Sequence, residues 1–309
     1  DGILQALRYR SVSLFTLANP GMPLGGLVGE SKSEILKQLE SSGNVVPFAR
    51  VPTGDRAHRL DTVVDFAARQ GWPVVLKPDL GERGKDVRFV NDASEAGDFL
   101  DAHAGPLIVQ RKASGIEFGV FYIREPDADT GSVFSITRKG QTVVTGDGRR
   151  RLSDLILDDE RAVCMAPYFL REHASRLDEV PGAGECVALN AIGTHSRGSL
   201  FTDAGALGTT ALTAEIDRIS KHFEGFHLGR YDLMVDDDEA LSAGRDLRII
   251  ELNGVSSEAT HIYDPALSVW NALLITLSQW RTAWRIGAAV RAQGTPPPGL
   301  RALLRALFG

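Results

Sequence analysis

The chain has 309 residues, 43% hydrophobic and 24% charged, enough for a sizeable core and two or three subdomains around one site. A net charge of -6 gives no basis for a nucleic-acid partner, and no apolar run approaches the ~20 residues of a membrane helix. Cys164 and Cys186 sit in neither a CxxC nor a zinc spacing, which points to a reduced, cytoplasmic compartment. The chain opens at Asp1 with no secretory leader in view, and an upstream leader or domain is left open.

The first 54 residues are rich in glycine and proline. Ser31 or Ser33 is placed to cap a helix through Ile35, Leu36 and Leu39 that Gly43 ends. "GGLVGESKS" misses the phosphate-loop pattern, and Lys32 reads as an exposed helix residue before it reads as a nucleotide contact. Leu60, Val63, Val64 and Ala67 have helical spacing up to Gly71. "PVVLKP" and "DVRFV" predict two strands around a glycine loop, and "DASEAGDFLDAH" a capped helix. "PLIVQ", "EFGVFYI" and "GSVFSITR" read as strands. A helix is expected over 158–175, strands at "ECVALNAIG" and "GSLFTD", and a helix at "TTALTAEIDRISKHF". "LGRYDLMV" and "LRIIELN" then form a hairpin turning near Leu241 and Ser242, followed by a long helix from Pro265 towards Ala292. Strands and helices mix without strict alternation, so the fold class is α+β.

In that hairpin Asp232 falls opposite Glu251, with Asn253 on the same face. Three hard oxygen donors of this kind suit Mg²⁺. The plainer reading is a salt-bridged sheet edge with Arg230 and Arg248, which is weakened because the acids lie inside apolar strands. Lys77 ends a strand before a loop with Gly81 and Gly84. A lysine and exposed loop N–H groups there suit phosphate, although many hairpins contain two glycines.

With "LIVQRKASGIEFGVFYI" added, the chain resembles the ATP-grasp superfamily over roughly residues 58–270. The likeness lies in motif order: Lys77 with Gly81 and Gly84; Val109, Gln110, Gly115, Glu117 and Phe118; then Asp232, Glu251 and Asn253. The resemblance implies an ATP-grasp fold of two α+β subdomains clasping ATP. Its divisions are an N-terminal segment 1–57, a lid 58–118, a central subdomain 119–294 and a basic tail 295–309. Gln110, Arg111, Lys112 and Ala113 would meet adenine, largely through backbone groups, and Glu117 the ribose. Lys77 would bind the α and β phosphates, and the Gly81–Gly84 loop would cover the β and γ phosphates. Asp232, Glu251 and Asn253 would hold Mg²⁺, two ions in the fuller arrangement, with Mn²⁺ as a substitute. Arg230 matches the arginine that steadies an acyl phosphate.

Within the superfamily the likeness is to D-alanine–D-alanine ligase-like carboxylate–amine ligases. A small-molecule kinase and a non-catalytic ATP-binding module are the alternatives. The mobile-loop lysine of those ligases has no counterpart between Asn190 and Thr209. Arg197, beside His195, is the candidate cation there, against an ordinary surface loop. "GVSSEATHIYDP" also departs from the ligase pattern, which puts D-alanine in doubt as substrate. Glu258 and His261 either touch the amine or cap the final helix. A carboxylic acid and an amine are the implied partners, and a homodimer is one option. The tail from Arg281 carries five arginines and no acid. Its stripe of Leu300, Leu303, Leu304 and Leu307 is read as packing on this chain or a second subunit, ahead of an anionic membrane surface.

Overall fold

The computed structural model describes residues 1–81, 86–190, 193 and 198–308. The chain divides into two compact units, one of residues 1–137 with 203–309 and one of residues 138–202.

In chain order the larger unit starts with α1 (Gly2–Tyr9), α2 (Lys32–Leu39), β1 (Phe48–Val51), α3 (Arg56–Gln70), β2 (Val74–Pro78), β3 (Arg88–Val90), α4 (Ala93–Ala102), β4 (Leu107–Arg111) and β5 (Ile116–Ile123). Strand β6 (Ser132–Gly140) leads into the smaller unit, which holds β7 (Val143–Thr145), α5 (Leu152–Asp158), α6 (Ala166–Glu172) and β8 (Cys186–Ala188). Strand β9 (Leu200–Asp203) leads out of it. There follow α7 (Thr210–Ser220), β10 (Leu228–Val235), α8 (Asp238–Ser242), β11 (Arg248–Asn253), α9 (Val269–Ala292) and α10 (Leu300–Phe308). The strands form sheets of order β1-β4-β2-β3 and β11-β10-β5-β6-β9, with β7-β8 as a small hairpin. The α+β class expected from the sequence is the one observed.

Polar side chains start these helices. Ser31 caps α2, Asp55 α3 and Asp92 α4, each accepting the N–H three residues on. Helices α3 and α4 cover the four-stranded sheet around Val63, Phe66, Val74, Leu76 and Phe99. Phe118, Val120, Tyr122, Tyr231 and Leu233 line one face of the five-stranded sheet and pack with Ile216 and Ile219 of α7. Asp217 anchors that helix, accepting from the Tyr122 hydroxyl at 2.6 Å and from Gly131 N–H at 2.7 Å.

Two expectations fail locally. The helix expected over 158–175 starts later and is shorter: α6 covers Ala166–Glu172 after a 3-10 turn at Ala162–Met165, and before that the Asp159 carboxylate accepts from the N–H groups of Arg161 and Ala162 and turns the chain. Helix α6 carries Pro167 in its first turn. The connection between β10 and β11 is not a turn at Leu241 and Ser242 but the short helix α8, capped by Asp237. Of the tail leucines, Leu303 alone is buried, while Leu300, Leu304 and Leu307 are exposed.

The glycine- and proline-rich opening segment docks on the strands. Asn19 is fully buried. Its amide donates to the carbonyls of Gly25 (3.0 Å) and Leu228 (2.7 Å), and its oxygen accepts from the N–H groups of His227 and Leu228, both at 2.9 Å. A Cβ on Gly26 would stand 2.6 Å from Gly254 Cα, so two backbones touch here and neither residue tolerates a side chain. Asn19→Ala leaves those backbone groups buried without partners. It is expected to cost about 3 kcal/mol, summing the usual penalty for such groups, and a urea titration measures it.

Burial, reinforced by Arg124, pushes the adjacent His227 imidazole down to about 4. The unfolded chain takes up that proton near the ordinary value of 6.5 and therefore binds more protons than the folded chain between those limits. Stability should fall as pH drops through this window, and His227→Gln should flatten that part of the profile of urea midpoints.

Candidate ATP and metal site

The site-bearing face of the five-stranded sheet is set by a break in register. Asp232 pairs with Glu251, but Leu233 pairs with Ile249, so Ile250 is an extra residue in β11. Without it Ile249 and Glu251 would share a face, since side chains alternate. The bulge lets Ile249 enter the core while Glu251 faces the other way with Asp232. Asn253 joins them, its amide donating to Asp232 Oδ2 at 3.3 Å.

The bulge also turns the Ile250 carbonyl towards the other sheet. Gln110 Nε2 donates to it at 3.2 Å and Lys77 Nζ at 3.4 Å. Lys77 Nζ donates further to Gln110 Oε1 at 2.8 Å. Both side chains are buried, at 4% and 1% exposure. Burial lowers the Lys77 pKa, against the pull of Glu251. Burial alone would raise the Glu251 pKa, but Lys32 and Lys77 outweigh it and hold the group below the ordinary carboxylate range. Arg230 Nε donates to Asp232 Oδ1 at 2.9 Å, and its Nη1 to the Glu258 carbonyl at 3.0 Å.

Lys32 departs from the sequence reading. Its side chain is 12% exposed and its Nζ lies 3.1 Å from Glu251 Oε1. Asp79, two residues after Lys77, puts it there. The buried Asp79 carboxylate accepts from Ser31 Oγ and Ser33 N, both at 2.8 Å, and its carbonyl from Lys32 N at 3.0 Å. The start of α2 is thereby tied to the end of β2. Lys32 Nζ also donates to the Gly81 carbonyl. Its position three residues after a glycine-rich turn carried no signal by itself; the missing link was Asp79.

Lys77, Asp232, Glu251, Asn253 and Arg230 thus meet in one cluster. Glu117 stands on the same face of β5, two residues before the partner of Asp232, and contributes to the field at Lys77. Of the adenine candidates, Gln110 turns its side chain to Lys77, Arg111 donates its N–H to Pro47, Lys112 lies over the Phe89 ring and Ala113 is half-buried. Gly84, His195 and Arg197 lie outside the described residues. The edge reading survives in part, since Arg230 pairs with Asp232, whereas Arg248 pairs with Asp236 at 2.6 Å. Ser268 caps the long helix α9, so Glu258 and His261 do not.

Among the described residues no three of His, Cys, Asp and Glu gather as a metal-binding group. The candidate set is two carboxylates and an amide, with Asp232 and Glu251 register partners on adjacent strands, and oxygen donors of this kind suit a hard divalent cation that keeps waters. A surface cavity of about 500 Å³ beside Asp217, Arg218 and Lys221 lies on the α7 side of the sheet and holds none of these groups.

No protein-family model matches the chain, and no curated protein matches it in sequence. Among solved structures it matches D-alanine–D-alanine ligase from Bacillus anthracis at 13% identity and a TM-score of 0.48, covering 86% of this chain and 69% of that one. It matches the D-cycloserine synthetase DcsG at 17% identity and 0.47, covering 86% and 73%. A bifunctional glutathione synthetase from Pasteurella multocida follows at 17% identity and 0.40, covering 78% of this chain and 36% of that one. The chain is similar to ATP-grasp ligases. It spans about a third of the glutathione synthetase. No helix among the described residues is long and apolar enough to cross a membrane.

Gln110→Leu keeps the volume of the residue but removes the 2.8 Å partner of a buried ammonium. It should destabilise the chain by about 2 kcal/mol, the range for hydrogen bonds to charged groups, read as a lower melting temperature.

Proposed function

We propose that the chain is an ATP-dependent carboxylate–amine ligase of the ATP-grasp type, working through an acyl phosphate. One observation carries this reading: Lys77 of one sheet donates to the Ile250 carbonyl of the other and stands in the field of Glu251 and Asp232, and Asp232 pairs with Arg230. The similarity to known ligases is one of fold, and the assignment rests on this cluster.

In this reading the backbone of Gln110, Arg111, Lys112 and Ala113 meets adenine and Glu117 accepts from the ribose hydroxyls. The lid is 58–118 and the central subdomain 119–294. Lys77 grips the α and β phosphates, and the loop from Gly81 to Gly84 covers the β and γ phosphates. Lys32 adds a further cation. Lys32 and Lys77 hold protein oxygens at hydrogen-bond distance, so they must exchange these partners for phosphate oxygens when a triphosphate enters. Asp232, Glu251 and Asn253 would hold Mg²⁺. When bound, Mg²⁺ neutralises phosphate charge and polarises the γ-phosphoryl group.

The acid then attacks the γ-phosphorus through one carboxylate oxygen. An O–P bond forms, the bond from phosphorus to the β–γ bridging oxygen breaks, and ADP leaves. An amine attacks the activated carbonyl. A C–N bond forms, the C–O bond to phosphate breaks, and the amine loses a proton. Arg230 is fixed on both sides, by Asp232 and by the Glu258 carbonyl, and so presents positive charge where oxyanions develop. Such chemistry needs positioning and charge compensation and no side-chain nucleophile.

Hydroxylamine trapping with candidate acids separates the readings. Hydroxamate with ADP marks a ligase. ADP without hydroxamate marks a kinase or bare hydrolysis, and neither product marks a binding module. His195 or His261 is the base a kinase would use, and burial lowers the pKa of His261. Glu251→Gln should reduce ADP release about a hundredfold or more while the melting curve stays cooperative. Unchanged release from that variant would remove the metal assignment.

A further inference from the structure

Helix α1 is turned inside out. Its polar Gln5 is 7% exposed, whereas Ile3, Leu4 and Leu7 stand at 80%, 66% and 70%. Its contacts with α9 hold it that way round. Asp1 accepts from Arg281 Nη2 at 2.8 Å, the Tyr9 ring stacks on Trp284 with centroids 6.2 Å apart, and the Tyr9 carbonyl accepts from Arg291 Nη1 at 2.9 Å. Helix α1 thus lies along α9 and keeps its apolar stripe in water.

Helix α10 repeats the pattern. Packing on this chain, the role expected for the tail stripe, falls to Leu303 alone, and Leu300, Leu304 and Leu307 are exposed. Its approach is tied to the end of α1: the Ser13 hydroxyl donates to the Pro298 carbonyl at 2.6 Å. Single exposed leucines are ordinary, but stripes of three on two tethered helices mark an interaction surface.

The charges say what covers it. From Val269 to Gly309 the sequence holds no acid, although the chain as a whole carries -6. Arg281 and Arg285 of α9 take their carboxylates from elsewhere, from Asp1 and Glu125. Arg8, Arg10, Arg301 and Arg305 are exposed and, among the described residues, pair with no carboxylate; Arg8 lies over the Tyr9 ring. A second copy is a poor match, because a twofold contact sets a patch against itself and would bring only cations to both sides. Leucine stripes beside unpaired arginines match an anionic lipid layer, whose acyl border takes the leucines and whose headgroup phosphates take the arginines.

We propose that α1 and α10 rest on an anionic lipid surface, with Arg8, Arg10, Arg301 and Arg305 among the headgroups. The inference is independent of the ligase reading, since none of these residues belongs to the charged cluster.

The test sediments the 309-residue chain with vesicles of phosphatidylcholine alone or of equal parts phosphatidylcholine and phosphatidylglycerol. Binding to the mixed vesicles should be saturable and about tenfold or more tighter, the scale for several arginines near an anionic surface. Arg301→Gln with Arg305→Gln should remove about tenfold of that preference. Leu4→Gln with Leu7→Gln in α1, and Leu304→Gln with Leu307→Gln in α10, should each weaken binding to the mixed vesicles about tenfold. These side chains are exposed, so the melting temperature of each variant should stay near that of wild type. A wild type that does not sediment with the mixed vesicles overturns the proposal. So does equal binding to both kinds of vesicle, or wild-type binding by either leucine pair. A wild type that is dimeric by analytical ultracentrifugation and that the leucine pairs return to monomer gives the face to a second copy and overturns it as well.

Discussion

Two carboxylates stand in register on one face of the β10–β11 pair, and their burial is tolerable only with cations held against them. Asp232 has Arg230, and Glu251 has Lys32 with Lys77 close by. The rest of the larger unit can be understood as what brings those cations there. The bulge at Ile250 is the pivot. It reverses the facing of β11 between Ile249 and Glu251, so one strand serves the α7-side core and the charged face in turn. The carbonyl it displaces becomes the acceptor that receives Gln110 and Lys77 from the other sheet.

Lys32 arrives by a different route. Its helix would be a surface helix were it not tied to Asp79 through Ser31, Ser33 and its own N–H. The glycine turn before it is pressed on Gly254, with Val255 N donating to the Gly25 carbonyl at 2.9 Å. The segment that begins the chain therefore braces the end of β11 and delivers a charge to the middle of it. Asn19 fixes the same segment to the start of β10. Glycine and proline here serve close backbone contact, and their enrichment does not make the segment a loose leader.

Much of this was legible in the sequence. Strand alternation placed Asp232, Glu251 and Asn253 on one face, and capping residues located α2 and α4, and apolar spacing α3, within a residue or two. Both signals are local, with a period set by the backbone itself. What escaped depends on partners far along the chain. Strict alternation in "RIIELN" puts Ile249 beside Glu251, and nothing within those residues announces the extra one. Lys32 looked exposed because the residue that positions it lies 47 places further on, at Asp79. The break after Asp158 turned on one carboxylate choosing backbone N–H groups over solvent.

The charge balance of the cluster bears on how the proposed reaction must work. Among the described residues Lys32, Lys77 and Arg230 stand in the field of Asp232, Glu251, Glu117 and Glu258, so the carboxylates at least balance the cations and these groups by themselves offer a triphosphate little attraction at long range. In the proposed reading, nucleotide entry has to redistribute charge. Each lysine that turns to a phosphate leaves a carboxylate exposed to its neighbour, and two acids paired across adjacent strands do not stay ionised together without a counter-charge. A divalent cation entering with the nucleotide restores that balance at the point where the lysines leave it. Polyphosphate and metal should then bind as one unit, and either alone should bind poorly. The same exchange makes Arg230 the one cation that keeps its place, since it is held from two sides. The lysines would answer to the nucleotide and Arg230 to the acid, a division of labour that follows from which side chains are free to move.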